Sequence, residues 1–228
     1  MDKHCCRIIS SMRAGSTLLK ALIATRPDCS DLPETPFQHY NIIKSDKRIT
    51  VLKKPAGYTD FDYPVLGDIH SKDIIMIRNP YDTVCSIKQM YISRNQKNPV
   101  KDNDQYFISY WYMVYNNIIE KRILEKPNTL LLRYEDLINE PVKETERIFK
   151  FIGTDFPTGT DTYSVPAEYN WQWGKDDGGE VLKTLRVQRQ TNEIINKDLL
   201  TFINNSPEIK ATLTYFGYKF NDTVIALD

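Results

Sequence analysis

An α/β fold is what this sequence predicts: one domain over residues 1–228, with a central parallel sheet flanked by helices. Two features carry that reading. Strand-like runs alternate with helix-like stretches, and the strand runs are continuously apolar, as strands covered on both faces are. Composition is the third. The 228 residues are 41% hydrophobic and 26% charged, which excludes a disordered or collagen-like chain. A chain of this length buries about 70–75% of its unfolded surface and needs no disulfide or metal staple.

The elements follow in order. Cys5-Cys6-Arg7-Ile8-Ile9 reads as a short buried strand, and residues 16–25 as a helix ended by Arg26-Pro27. Residues 48–52 and 73–78 are further β-branched runs, the second closed by Asn79-Pro80. A helix over 80–93 opens on proline, whose missing N–H costs nothing at a first turn. Over 104–125, Phe107, Trp111, Val114, Ile118 and Arg122 stand 4, 3, 4 and 4 residues apart, the spacing of a helix with one largely apolar face. Residues 129–134 read as a fourth strand and 141–152 as a helix closed by Gly153. Residues 154–185 are irregular, and helices near 190–204 and 207–216 close the chain. There is no internal repeat.

Thirty Lys+Arg balance thirty Asp+Glu, which argues against nucleic acid held by a basic surface. No apolar run approaches the roughly 18 residues of a membrane span, and the first residues enter a strand with no signal-peptide core. Cys5, Cys6, Cys29 and Cys85 do not form a secreted disulfide framework. The expectation is a soluble, cytoplasmic protein with no membrane partner.

Two segments carry chemistry. Ser10-Ser11-Met12-Arg13-Ala14-Gly15-Ser16-Thr17-Leu18 lies between a strand and a helix, where backbone N–H groups and the positive helix end favour an anion. Gly15 permits close approach, Ser16 and Thr17 add hydroxyls, and Arg13 adds a permanent forked charge. A bland alternative is an ordinary Ser/Thr cap beside a surface arginine. The segment is not a Walker A loop, because the G-x-x-x-x-G-K-[ST] lysine is missing. The second segment, Arg78-Asn79-Pro80-Tyr81-Asp82-Thr83-Val84-Cys85-Ser86, sets an arginine at the end of a strand and a serine two turns into a helix. Both lie at the carboxyl edge of a parallel sheet, where ligands bind. Here the bland alternative is a local Arg78–Asp82 ion pair.

Together these segments resemble the two phosphosulfate-binding signatures of the sulfotransferases that use 3′-phosphoadenosine 5′-phosphosulfate (PAPS, product PAP). Leu132-Arg133-Tyr134-Glu135-Asp136-Leu137 with Pro141, then Phe151-Ile152-Gly153 and Phe216-Gly217-Tyr218, add matches in the family's order, so the resemblance runs from Ile8 to Tyr218. It implies a sulfotransferase-type P-loop fold. By position, Arg13, Ala14, Gly15, Ser16, Thr17 and Leu18 would hold the 5′-phosphosulfate. Arg78 and Ser86 would hold the 3′-phosphate, Tyr134 would lie near the adenine, and Arg186 (or Arg189) would cover the 3′-phosphate. Arg13 stands where many relatives have lysine, so it would stabilise charge rather than donate a proton.

Sulfuryl transfer needs an acceptor proton removed, charge balanced on the moving group and the leaving bisphosphate held in line. No metal is needed if arginines and lysines supply the charge, and His4-Cys5-Cys6 is a poor metal site because adjacent strand residues face opposite ways. Glu34 matches the acceptor-pocket glutamate of carbohydrate-type relatives, and its neighbours Leu32, Pro33 and Pro36 suit a proton acceptor. His39 is the second candidate base, with His70 and Asp60 behind it. Lys53 and Lys54 resemble the lysine other relatives place near the sulfuryl oxygens, and Lys54 is the one expected there. The aromatic, glycine-rich run 169–179 reads as a lid, and with Asp60, Asp62 and Asp68 it suggests a small, partly apolar acceptor, cationic if those acids face it. The missing membrane anchor suits small-molecule tailoring in a bacterial setting. The alternatives are a nucleotide kinase-like enzyme and a non-catalytic nucleotide-binding protein on the same fold.

Overall fold

The computed structural model describes residues 3–35, 37, 45–56, 71–93, 103–164, 185–188, 196–221 and 224–226. Its centre is a four-stranded sheet of β1 (His4–Ser10), β2 (Ile49–Lys53), β3 (Ser71–Ile77) and β4 (Thr129–Arg133), ordered β2-β1-β3-β4. Every pairing is parallel, with Ile8 opposite Lys53 and Ile74, and Met76 opposite Leu132. Parallel strands bury both faces, which is why these runs are apolar without alternation.

Strand parity sorts the core into two layers. Cys6, Ile8, Ile49, Val51, Ile74, Met76 and Leu132 pack under α1 (Ser16–Ile23), α4 (Tyr134–Asn139) and α5 (Pro141–Ile152). Cys5, Ile9, Leu52, Ile75 and Ile77 face α2 (Pro80–Ser93), α3 (Asp104–Glu120), α6 (Lys197–Asn205) and α7 (Pro207–Tyr215). A β5–β6 hairpin (Lys219–Asn221, Val224–Ala226) follows. Each fully buried aliphatic or aromatic side chain contributes about 1.5–3 kcal/mol, so these layers, rather than helix propensity, hold the fold.

One charged pair crosses the sheet inside this core. Arg7 and Asp73 are register partners on β1 and β3, joined by two hydrogen bonds of 2.6 and 2.5 Å with both side chains buried. Cys5 and Cys6 enter opposite layers, burial pushes the Cys5 thiol up to about 12, and the His4 ring meets the Ile152 carbonyl at 2.8 Å. The three side chains therefore do not converge.

Several boundaries differ from the sequence reading. The first helix ends at Ile23 rather than residue 25. The long helix stops at Glu120, because Arg122 takes a left-handed φ of 51° and starts a separate 3-10 turn over Ile123–Glu125. Tyr134 opens α4 instead of closing β4. The helix near 190–204 is described from Lys197, where Asn196 caps it by accepting from the Leu199 N–H. Among the described residues no helix is long and apolar enough to cross a membrane.

Candidate active site

Residues 11–15 join β1 to α1 across the carboxyl edge of the sheet. Arg13 (φ 63°) and Gly15 (φ 94°) are both left-handed. That region costs a non-glycine residue about 1–2 kcal/mol, so the conformation at Arg13 must be imposed by its neighbours. Gly15 is required twice, since a Cβ there would lie 2.4 Å from Cδ2 of Tyr134. No side chain caps α1, whose first turn opens at Gly15, so its positive end faces the loop. Ala14 and Leu18 are buried, and Leu18 belongs to the core under α1, so each has only its backbone to offer a ligand.

The second segment starts where β3 ends. The Trp111 indole N–H donates to the Arg78 carbonyl (2.9 Å), and Asn79 caps α2 by accepting from the Asp82 N–H (2.8 Å). The Arg78 guanidinium lies over the Tyr134 ring, 4.4 Å from its centroid. One terminal nitrogen donates to the Arg13 carbonyl at 3.3 Å, while Nε is buried with no hydrogen-bond partner among the described residues. The Asp82 carboxylate accepts from Asn79 Nδ2 (2.6 Å) instead of pairing with Arg78. Arg13 Nε donates to Ser86 Oγ at 2.9 Å. The two segments are thus one constellation, with Ser86 touching the arginine of the first loop. Tyr134 is buried, backing Gly15 and Arg78.

A carboxylate holds this turn from beneath. Glu135 is 3% exposed; its Oε1 accepts from the Asn79 N–H (2.8 Å) and Nδ2 (3.0 Å), and its Oε2 from the Tyr218 hydroxyl (2.8 Å). Burial pushes its ionisation above the ordinary carboxylate range, against the hydrogen bonds and the nearby Arg78 charge. In the sequence Glu135 stands beside a second acid, in Arg133-Tyr134-Glu135-Asp136, and nothing local marks it as the buried one.

On the other side of the loop stands Lys53. Its Nζ donates to Thr17 Oγ1 (2.9 Å) and to Glu34 Oε2 (3.0 Å), and the residue is 2% exposed. Glu34 therefore meets an ammonium group rather than the apolar wall expected from Leu32 and the prolines. Lys20, fully buried on α1, holds the same segment by donating to the Leu32 carbonyl (2.8 Å). Lys53, not Lys54, makes these contacts; Lys54 is next in the chain and half-buried. Arg186 lies on a segment bridged to Thr162, where its exposed side chain donates to Asp161 (2.8 Å). His39, His70, Asp60, Arg189 and the 169–179 run lie outside the described residues. Among the described residues no three His, Cys, Asp or Glu side chains converge as metal ligands would.

The geometry can be set beside known proteins. A model of the sulfotransferase family matches residues 70–158, the stretch holding Arg78, Ser86 and Tyr134. No curated protein sequence matches the chain. The sulfotransferase domain from the curacin biosynthetic pathway superposes with a TM-score of 0.60 at 16% identity, over 96% of this chain and 99% of that one. The sulfotransferase domain of the Synechococcus PCC 7002 olefin synthase gives 0.58 at 19% identity, over 96% and 97%. Mouse sulfotransferase SULT7A1, solved with PAP, gives 0.59 at 17% identity, over 95% and 90%. In fold over nearly its whole length, and in sequence from residue 70 to residue 158, the chain resembles the sulfotransferases.

Proposed function

We propose that the chain is a single-domain sulfotransferase moving the sulfuryl group of PAPS to a hydroxyl or amine of a small-molecule acceptor. The observation that carries the reading is the pair of arginines at one sheet edge, interlocked through Ser86 and the Arg13 carbonyl, with the buried Arg78 Nε left without a partner. A buried guanidinium N–H without an acceptor is costly, and a phosphate oxygen supplies the acceptor it lacks. PAPS, when bound, supplies a sulfuryl group on a leaving bisphosphate.

The chain's own residues divide the remaining work. Arg78, stacked on Tyr134, and Ser86, which accepts from Arg13, fit the 3′-phosphate. Arg13, the first turn of α1 and Thr17 fit the 5′-phosphosulfate, whose growing negative charge they would balance without reorganising. Lys53 links Thr17 to Glu34 and so sets the carboxylate beside the reacting end of the site. Glu34, about a third exposed, is open to an acceptor and is the proton-accepting group in this reading; His39 is the alternative base. Charge comes from arginine and lysine, so the reaction requires no metal. A nucleotide kinase on this fold would need ATP with Mg²⁺.

The direct test is to measure binding of adenosine 3′,5′-bisphosphate in EDTA, then offer PAPS with a panel of alcohols and amines. Tight metal-independent binding and sulfated product are expected. With a productive acceptor, Glu34→Gln should cut turnover by about 10²–10⁴-fold, the usual worth of a general base, while the bisphosphate dissociation constant stays within twofold. Binding that appears only with Mg²⁺ would overturn the reading.

A further inference from the structure

Helix α3 does more than fill the core. Within two turns it presents Tyr110, Trp111 and Tyr115, all buried, to three different strand ends. The Tyr110 hydroxyl accepts from the Met12 N–H (2.7 Å) and donates to the Ala56 carbonyl (2.6 Å). The Tyr115 hydroxyl accepts from the Ser11 N–H (3.3 Å) and donates to the Met76 carbonyl (2.9 Å). The Trp111 indole donates to the Arg78 carbonyl. The segments following β1, β2 and β3 are therefore stapled to one helix at their carboxyl ends.

The direction of each bond at Tyr110 is forced. A carbonyl can only accept, so the phenol proton goes to Ala56, and an oxygen lone pair is left for the Met12 N–H. Burial pushes both phenols well above their ordinary ionisation, so they remain donors at any working pH. Met12 directly precedes Arg13, whose left-handed backbone relaxes unless its surroundings over-determine it. Ala56 lies three residues beyond Lys53, and its own N–H donates to the Ser10 carbonyl (2.9 Å).

We propose that Tyr110 is a positioning residue: its hydroxyl sets the register between the loop carrying Arg13 and the segment carrying Lys53, and so holds the loop in the conformation that grips the donor. The proposal rests on the donor reading given above. It assigns Tyr110 no contact with substrate; its effect passes through Met12 and Ala56.

Tyr110→Phe keeps the ring and removes only the bridge. Three measurements decide the matter: amide hydrogen exchange of the whole chain, calorimetric binding of adenosine 3′,5′-bisphosphate, and thermal unfolding. In the unsubstituted protein the Met12 amide should exchange as slowly as β1 amides although it lies in a loop; exchange at the rate of an exposed turn would overturn the proposal without any variant. In Tyr110→Phe the Met12 amide should exchange at least about tenfold faster and the bisphosphate should bind about five- to tenfold more weakly, the scale of one lost hydrogen bond. Ile152→Val, at the opposite edge of the sheet beside His4, serves as the control for general destabilisation. It should lower the unfolding temperature while leaving both readouts unchanged. If Tyr110→Phe weakens binding no more than this control does, Tyr110 is structural only and the proposal fails. If the unsubstituted protein does not bind the bisphosphate, the donor reading falls instead, and exchange at Met12 alone decides whether the hydroxyl registers the loop.

Discussion

Arg78 gives one guanidinium nitrogen to the Arg13 carbonyl and keeps another buried without an acceptor. Removing it as Arg78→Ala should weaken bisphosphate binding by about 2–3 kcal/mol, the scale of a hydrogen bond to a charged group, or roughly 30- to 150-fold. Arg78→Lys should not restore it, because an ammonium reproduces neither the fork nor the stacking on Tyr134. Calorimetry on the two variants checks both statements, and a dissociation constant unchanged in Arg78→Ala would sink the site assignment. Gly15→Ala tests the loop itself. The added methyl meets Tyr134 at 2.4 Å at a φ of 94°, so stability should fall by at least about 2 kcal/mol from conformational strain and ring displacement, with binding lost at the same time. Urea unfolding and the same calorimetry read both. Arg13, Gly15, Arg78 and Ser86 were legible because each sits in a short motif whose spacing fixes its place at a strand end. That Lys53 faces Thr17 was legible in principle but depends on parity. Ile49, Val51 and Lys53 share the face that packs under α1, where Thr17 waits, and that argument needs to know which face α1 covers. The contact between Glu34 and Lys53 was not legible, because nothing in the spacing of residues 31–35 ties that stretch to the end of β2.

At the scale of elements, the helices that could be read early are those with punctuation. Pro80 and Pro141 open α2 and α5, and Gly153 closes α5 in a left-handed cap. Helix α4 has six residues and follows β4 with no linker, too short for a period of 3.6 to show. Yet α4 carries Glu135, which joins Asn79 at the start of α2 to the closing Tyr218 through three hydrogen bonds. The consequence is a pH dependence with a definite sign. Burial raises the ionisation of Glu135 in the folded chain, so the folded state holds its proton more tightly than the unfolded state does. The stability linked to this proton is full below the unfolded value of about 4.3, and it declines as pH rises towards the raised folded value. Arg78 and the Asn79 N–H oppose the shift, while Asp82, Tyr115 and Arg133 also lie close enough to add to the background, so the quantity to follow is a difference between proteins. Glu135→Gln keeps an acceptor for Asn79 and removes the charge; between pH 4 and pH 8 its stability relative to the unsubstituted protein should improve as pH rises, levelling off once Glu135 is ionised in the folded chain. A difference that stays flat in urea titrations across that range would show that Glu135 does not titrate as argued. Glu135→Ala strands the Asn79 and Tyr218 donors at every pH and should cost about 3 kcal/mol.

Across the whole molecule, the two proposed phosphate subsites hang from different strands, β1 and β3, and the linkage between them runs through side chains: Arg13 to Ser86, Arg78 to the Arg13 carbonyl, and α3 to both strand ends. The sheet beneath is locked by its two apolar layers and by the buried Arg7–Asp73 pair, where removing one partner should cost about 3–5 kcal/mol. A rigid sheet with a tied rim has little to rearrange on binding, so a ligand that engages both subsites should appear as added stability of the whole chain rather than as ordering of one loop. At a free bisphosphate concentration of 100 times the dissociation constant the gain is about 2.7 kcal/mol. For a chain of this size each kcal/mol raises the unfolding temperature by about 2–4 °C, so the midpoint should climb by roughly 5–11 °C, in EDTA as well as in buffer. Arg78→Ala at the same bisphosphate concentration should show only about 0.5–3.5 °C. Adenosine 5′-phosphate, which lacks the 3′-phosphate, should behave towards the unsubstituted protein as the bisphosphate does towards Arg78→Ala. Equal shifts with the two nucleotides would mean that the rim holds only one phosphate, and the argument from paired subsites would fail at the scale of the molecule.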